Sequence, residues 1–145
     1  MMMTKLRSLL LSGLLLVSAC GANRSSLKMG ETTRADVISQ KGEPLSEEKL
    51  PIKDSSIMNY KNDEKIQLKG DVVMNRFTNP VADEKLVIWW KHKFKDCSTF
   101  SQPLAHDSKS HTPPEIEFSC PEEGLKVIYT EGADIISRVV EYEKK

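Results

Sequence analysis

Glycine, histidine and cysteine are scarce in this chain, and their scarcity limits the chemistry that it can perform. The 145 residues include seven glycines, three histidines and three cysteines. Nucleotide-binding loops need closely spaced glycines, and no such run occurs. The nucleophile motif G-x-S-x-G, the zinc motif H-E-x-x-H and the C-x-x-C pair are also missing. The sequence therefore predicts no catalytic residues, no metal site, no cofactor and no enzymatic activity.

Neither sign of charge dominates. The chain has 21 basic and 21 acidic residues, and removal of a leader containing Lys5 and Arg7 leaves 19 against 21, a net charge near −2. Lysines and glutamates are interspersed along the chain. Because nucleic-acid binding needs a concentrated basic surface, we expect a mixed-charge surface and no nucleic-acid partner.

Long hydrophobic runs are missing except near the start. Residues 1–19 have the parts of an export signal, namely a cationic beginning, an apolar stretch over 9–17 and small residues at the end. The apolar stretch is about half the ~20 residues that a membrane-spanning helix needs. The four residues that span the expected cleavage point, Val17-Ser18-Ala19-Cys20, resemble the lipobox at which bacterial lipoprotein precursors are cut and lipidated.

The lipobox resemblance implies that Cys20 becomes the first residue and carries a thioether-linked diacylglycerol and an acyl chain. Two or more such chains hold a protein stably in a membrane. Residues 20–26 are small and polar and predict a short flexible tether, and residues 27–145 then form a single domain. Gly21, in place of an aspartate, favours the outer membrane, so we expect a protein of the cell envelope that faces the periplasm.

Two cysteines remain after lipidation of Cys20. Cys97 and Cys120 would lie in an exported compartment in which disulfides persist. A disulfide between them is the simplest expectation. A metal site with His92, His106 and His111 is the competing interpretation, but no ligand spacing supports it.

A short helix with marked ends is predicted after residue 33. Thr33 and Asp36 are spaced as a capping box, and Gly42 and Pro44 are typical of a helix end. Val37 is expected to face the core.

The stretch from Gly30 to Pro44 also carries a resemblance to a known family. Its pattern, G-x-T-T-x-x-x-V-x-x-x-x-G-x-P, resembles the opening signature of the SmpA/OmlA lipoproteins. The resemblance implies a non-catalytic scaffold that binds envelope proteins at the outer membrane. The module is similar in shape to secreted β-lactamase inhibitor proteins, so an inhibitor-like or ligand-sensing module is the alternative.

Alternating apolar residues predict six strands, and a 3.6-residue period predicts a second helix. The strands cover 56–60, 65–69, 72–77, 115–120, 125–130 and 135–142, and the last three form a meander. The helix covers 81–95, with Asn79 as its cap and with Leu86, Trp89, Trp90 and Phe94 on one face. A buried strand is the alternative because the sequence from Val87 to Trp90 is also β-prone.

Partner contacts are expected at two places. Two adjacent tryptophans, Trp89 and Trp90, cannot both face the core, so one is a candidate contact for a partner or for lipid. Residues 98–114 predict a long polar loop that contains His106 and His111, and long loops are often functional. No internal repeat is evident. The expected fold is α+β, with one antiparallel sheet of four to six strands packed on one or two helices around one core.

The first prediction concerns Cys20. We expect Cys20→Ala to abolish incorporation of radiolabelled fatty acid and to release the protein from washed membranes, because the substitution removes the thiol that carries the lipid. Membrane fractionation of cells with either version checks this. A Cys20→Ala protein that still partitions with membranes and still takes up label would contradict the lipobox resemblance.

Overall fold

Eight strands and two short helices make up the described part of the protein. The computed structural model describes residues 26–104 and 111–145. The helices are α1 (Arg34–Lys41) and α2 (Val87–Lys93). The strands are β1 (Ser46–Lys49), β2 (Ser55–Asn59), β3 (Lys65–Lys69), β4 (Val72–Thr78), β5 (Phe100–Pro103), β6 (Glu115–Cys120), β7 (Leu125–Thr130) and β8 (Ile136–Tyr142). Short 3-10 turns cover Lys61–Asp63, Ala82–Lys85 and Pro121–Glu123.

The strands form one antiparallel sheet in the order β1-β2-β3-β4-β8-β7-β6-β5. The predicted α+β class, the single antiparallel sheet and the C-terminal meander of β6, β7 and β8 are therefore confirmed. The predicted number of four to six strands is wrong, because the sheet has eight. No helix among the described residues is long and apolar enough to cross a membrane.

The two strands that the sequence did not predict are the edges of the sheet. All four side chains of β1 are exposed, and three of them are charged. β5 ends at Pro103, inside the predicted 98–114 loop. Edge strands are commonly short, charged or proline-containing, because these features discourage pairing with other molecules. Such strands lack the apolar alternation that reveals inner strands.

The order of elements repeats once along the chain. A helix followed by a four-stranded meander forms unit 1 (residues 34–78), and the same order forms unit 2 (residues 87–142). Pairing of β4 with β8 joins the two meanders into one sheet. This repeat of structural elements is not evident in the sequence.

Each unit begins in the same way. In unit 1, Thr33 forms an isolated antiparallel bridge with Val72, and the Arg34 amide donates to the Asp71 carbonyl at 2.7 Å. The chain therefore enters α1 directly from a contact with the start of the fourth strand of its own unit.

Unit 2 reproduces this entry. Leu86 forms an isolated antiparallel bridge with Ile135, and the Val87 amide donates to the Asp134 carbonyl at 2.9 Å. The bridging residue again precedes the first helical residue, and the acceptor again precedes the bridged residue. Thr33 and Leu86 are thus equivalent positions, as are Val72 and Ile135.

The fourth strands also share a bulge and meet at a pseudo-two-fold axis. The β3–β4 ladder skips Met74, and the β7–β8 ladder skips Ser137, each two residues after the bridged position. Phe77 pairs directly with Val140 in the β4–β8 ladder, and each stands five residues after its bridged position. Because Phe77 and Val140 are equivalent residues of the two units and pair with each other, the pseudo-two-fold axis passes between them.

Helix α1 is built as its sequence predicts. Thr33 and Asp36 form a capping box in which each side chain bonds to the backbone of the other residue. The Gly42 amide donates to the Ile38 carbonyl with φ +83°, a conformation that favours glycine. Val37 is fully buried, as expected.

Helix α2 is shorter than the predicted helix over 81–95. A 3-10 turn occupies Ala82–Lys85, and Leu86 is extended, so the α-helix begins at Val87 and Asn79 does not cap it. The interruption follows from the Leu86 bridge, which draws that residue against the sheet. The helical interpretation of Trp89 and Trp90 is nevertheless confirmed over the strand alternative.

The buried face of α2 also differs from the expected one. Val87, Trp90 and Phe94 are buried, whereas Leu86 is 46% exposed. The apolar period therefore starts one residue later than predicted.

The described residues form two hydrophobic clusters instead of the expected single core. One packs beneath α1 and the other beneath α2. The first contains Leu27, Val37, Met58, Ile66, Leu68 and Val73. The second contains Val87, Trp90, Phe94, Cys120, Leu125, Val127, Ile136 and Val139. Each unit thus buries its own apolar face.

An ion network lies between the two clusters. Arg76 on β4 bonds to Glu64 at 2.6 Å through Nε and to Glu141 on β8 at 3.1 Å through Nη1. Lys41 Nζ, at the end of α1, lies 3.0 Å from the Glu64 carboxylate. The side chains of Arg76, Glu64 and Glu141 are each at most 16% exposed. Burial opposes ionisation of Glu64, but hydrogen bonds from Arg76 and Lys41 outweigh it, so its pKa is lowered.

The second prediction concerns this network. Arg76→Met is expected to lower the free energy of unfolding by about 3 kcal/mol, because it leaves two partly buried carboxylates without their shared cation. The folded-state pKa of Glu64 is depressed, so its contribution is present above the ordinary carboxyl pKa and is lost as the pH falls through the lowered value. The difference between the two proteins should therefore shrink on acidification in urea titrations.

Arg34→Met is the matched control. Arg34 also bonds to a glutamate, Glu47, at 2.8 Å, but that pair is exposed to solvent, so its loss should matter much less. Equal destabilisation by the two substitutions would contradict a special role of Arg76 at the junction.

Candidate functional site

The two faces of the sheet have different surroundings. Side chains alternate between the faces along each strand. On β7, Leu125 and Val127 belong to the cluster beneath α2, whereas Lys126 and Ile128 point to the opposite side. Neither helix packs against that second side, and we call it the open face.

Strand pairing defines the rows of the open face. One row runs across five strands through Lys65, Phe77, Val140, Lys126 and Ser119. A second row contains Gln67, Asn75 and Tyr142, and a third contains Glu117, Ile128 and Arg138.

Polar side chains on the open face bond to one another. Lys126 Nζ lies 3.0 Å from Glu117 Oε2 and 5.6 Å from the centroid of the Tyr142 ring. The Ser119 hydroxyl donates to Glu117 Oε1 at 3.3 Å. Burial, followed by the negative charge of Glu117, raises the pKa of Tyr142. The side chains of Glu117, Ser119, Lys126 and Tyr142 thus form a polar cluster beside the pseudo-two-fold axis, which we call the platform.

Apolar side chains are interleaved with this platform. Phe77, Ile128 and Tyr142 are half-buried, and Val140 has no exposed surface. Antiparallel sheets that have one solvated face usually alternate between an apolar inner and a polar outer side. Large apolar side chains on the helix-free side are therefore unexpected for a face that contacts only water.

The sequence identified other candidates, and the structure separates the two tryptophans. Trp90 is 1% exposed, and its Nε1 donates to the Glu84 carbonyl at 2.7 Å. Trp89 is half-buried, packs edge-on against Trp90 at 4.9 Å, and has Lys93 Nζ 5.5 Å from its ring centroid. The two rings do not lie on the open face. Trp90 is therefore a core residue, and Trp89 alone keeps accessible surface.

The remaining candidates lie elsewhere. His111 is exposed before β6, and Cys20 and His106 lie outside the described residues. The predicted loop over 98–114 is interrupted by β5, so the connection from β5 to β6 covers 104–114. The structure does not bring His111 together with the tryptophans or the open face in any described contact.

The expected disulfide is present. Cys97, just after α2, is bonded to Cys120 at the end of β6, with a Cα–Cα distance of 5.6 Å. Hydrogen bonds from Ser98 hold Glu122 beside the bridge and lower the pKa of that carboxyl. In the described ranges, Cys97, Cys120 and Glu122 are the one group of potential metal ligands within 4.8 Å of one another, and its sulfur atoms are bonded together. The bridge thus ties α2 to the sheet.

Comparisons with protein-family models, with curated proteins and with solved structures found no match. The SmpA/OmlA resemblance therefore stays a prediction from the Gly30 to Pro44 pattern.

The third prediction concerns the disulfide. Cys97→Ser together with Cys120→Ser is expected to lower the free energy of unfolding by about 3 kcal/mol, because a bridge across 23 residues restricts the unfolded chain. Urea unfolding checks the value, with His111→Ala as a control that should change nothing. Two cysteines that react with a thiol reagent in the unreduced, denatured protein would contradict the bridge.

Proposed function

We propose that the protein is a lipid-anchored, non-catalytic binding module of the bacterial cell envelope. It is anchored through Cys20, and its open face binds an envelope protein. The observation that carries the proposal is the set of large apolar side chains on the side of the sheet that neither helix covers.

Three properties of the open face support protein binding. Its centre contains Phe77 and Tyr142, and aromatic residues are enriched at protein interfaces. Its polar groups already have partners, such as Lys126 with Glu117, so fewer charges would need new partners on binding. The platform is also formed by central strands, which present side chains more rigidly than loops do.

The described polar side chains of the open face are engaged with one another. Lys126 and Glu117 are bonded to each other instead of being directed at a free site. Ser119 donates to Glu117, so it is not paired with a general base in the manner of an activated nucleophile. We therefore assign recognition to this surface.

The alternative function, an inhibitor-like or sensing module, has one observation in its favour. The connection between the first two strands covers 50–54 in unit 1 and 104–114 in unit 2. An extension at only one of two equivalent places is typical of a recognition loop. This alternative predicts a soluble partner.

The fourth prediction locates the partner by photo-crosslinking in cells. A photoreactive amino acid at Asn75, on the open face, is expected to capture an envelope membrane protein. The same residue at Ser39, on the exposed side of α1, is expected to capture much less of it. Ile128→Lys should reduce capture from Asn75 by about tenfold or more, as for a central interface residue.

Leu45→Lys is the control, because Leu45 is 68% exposed and lies outside the sheet. Cys20→Ala should reduce capture by removing the anchor. Capture only from Ser39 would overturn the open face as the binding surface. Capture of the same soluble protein with and without Cys20 would favour the inhibitor-like alternative.

A further inference from the structure

A cleft of about 610 Å³ lies at the junction of the two units, on the side of the sheet that carries the helices. Its lining comes from both units, for example from Arg76 on β4 and from Leu125 on β7. Its two rims are the 3-10 turn over 61–63 and the connection over 79–84. Clefts of this size commonly hold small ligands. We call it the joint cleft.

The charged part of the joint cleft is not required by the fold. The pseudo-two-fold axis makes Arg76 equivalent to Val139, since each precedes a residue of the axial pair. Glu64 is likewise equivalent to Leu125. Unit 2 therefore places two apolar side chains, each at most 6% exposed, where unit 1 places an ion pair. Because well-packed apolar residues are often at least as stabilising as a buried ion pair, the charges of unit 1 need another explanation.

Polar groups in the joint cleft are only partly bonded. Arg76 uses Nε for Glu64 and Nη1 for Glu141, so its Nη2 donors bond to no other described residue. In the described ranges no buried side-chain nitrogen or oxygen lacks a hydrogen bond, so this Nη2 is accessible. Glu141 uses only Oε2, and the half-buried carboxylate of Glu84 bonds to no described group. One donor group and two acceptors are thus available to a ligand.

The charges around the joint cleft balance. Three positive charges come from the lining and from the lysine bonded to Glu64, namely Lys41, Lys61 and Arg76. Three negative charges come from Glu64, Glu84 and Glu141. Charges next to the rims also cancel in pairs, Asp83 with Lys85 and Asp63 with Arg138. A ligand that carries both signs and no net charge therefore suits the cleft better than an anion or a cation.

The rest of the lining includes an apolar surface. Trp90, Leu125 and Val139 belong to the hydrophobic cluster beneath α2. Val81 extends this surface onto the rim, where it is 55% exposed. An apolar side chain of a ligand can therefore be covered immediately beside the polar groups.

The rims of the joint cleft are also strained. Four non-glycine residues of the described ranges have positive φ, and three of them are in the rims. Asn62, Asp63 and Ala82 have φ of 60°, 58° and 44°. Alanine rarely adopts this conformation, because it has no polar side chain to support it. The Asn79 side chain donates to the Asn62 carbonyl at 3.4 Å and links the rims. Backbone strain of this kind clusters at ligand-binding sites.

The pseudo-two-fold axis relates the joint cleft to a second cleft of about 550 Å³. Glu31 in the second cleft is equivalent to Glu84, since each lies two residues before a bridged residue. The counterparts of Arg76 and Trp90 are valines that do not line the second cleft. The arginine and the tryptophan are therefore specific to the joint cleft, and the second cleft supplies a matched control.

We propose that the joint cleft binds a short zwitterionic peptide with apolar side chains. The peptide carboxylate accepts from Nη2 of Arg76, and the peptide ammonium group donates to Glu84 and Glu141. An apolar side chain packs on Leu125 and Val81. Such a peptide has no net charge, as the balanced lining favours, and it joins a donor, an acceptor and an apolar body. This site is separate from the lipid anchor and from the open face, which lies on the other side of the sheet.

The fifth prediction is tested by NMR on the mature chain with Cys20→Ser, with leucyl-leucine as the probe. The chain has two tryptophans, and Trp89→Phe identifies their indole N–H signals. Leucyl-leucine is expected to shift the Trp90 signal saturably, because this indole lines the cleft and bonds to the Glu84 carbonyl. N-acetyl-leucyl-leucine lacks the ammonium group, and leucyl-leucine amide lacks the carboxylate. Each should bind more weakly by about tenfold or more, as for loss of a hydrogen bond between charged groups.

Two substitutions separate the ends of the peptide. Glu84→Gln is expected to weaken binding of leucyl-leucine by about fivefold or more and to leave N-acetyl-leucyl-leucine unchanged, because that probe has no ammonium group. Arg76→Lys keeps the charge but removes the planar donor pair. It should weaken leucyl-leucine and leave leucyl-leucine amide unchanged.

Glu31→Gln is the matched control, because it makes the same change at the equivalent position of the second cleft. It should change binding of none of the probes, and circular dichroism should show every variant folded. The proposal is overturned by a Trp90 signal that does not shift, by equal binding of the three probes, or by equal losses in Glu84→Gln and Glu31→Gln. None of these outcomes affects capture from Asn75, which reports on the open face.

Discussion

Pairing between β4 and β8 is the interaction on which the rest of the structure depends. It joins two meanders that otherwise have separate hydrophobic clusters. Arg76 reinforces it by bonding to Glu141 across the joint and to Glu64 within its own unit. The continuous open face exists only because this pairing places Phe77 beside Val140. Without the joint, each unit would have a half-sheet too narrow for the proposed binding surface.

Sequence reasoning predicted the inner strands and α1 well, because these have local signals. The strands Lys65–Lys69, Glu115–Cys120 and Leu125–Thr130 have the predicted bounds. The capping box of Thr33 and Asp36 and the Cys97–Cys120 bridge also match. The edge strands could not be found, since β1 is entirely charged or polar and has no apolar alternation. The predicted start of the second helix was wrong because the extended conformation of Leu86 is set by its bridge to Ile135, which lies 49 residues later in the sequence.

The repeat and the candidate surfaces were missed for a related reason. Equivalent positions hold different side chains, such as Val37 and Trp90 at the fourth helical position, and the connections differ in length. Only backbone contacts reveal the correspondence. Which residues lie on the open face depends in turn on the register of strand pairing, because the same alternation of residues could place Phe77 on either side of the sheet.

The same joint has a consequence for how the chain assembles. Contacts within each meander link residues close in sequence, whereas Arg76 and Glu141 are 65 residues apart. Local contacts form faster than distant ones, so each meander can fold before β4 finds β8. Until then both strands present unpaired edges of matching register. A β4 edge from one molecule would satisfy the β8 edge of another equally well, so this topology permits an exchanged dimer in which two chains share their halves.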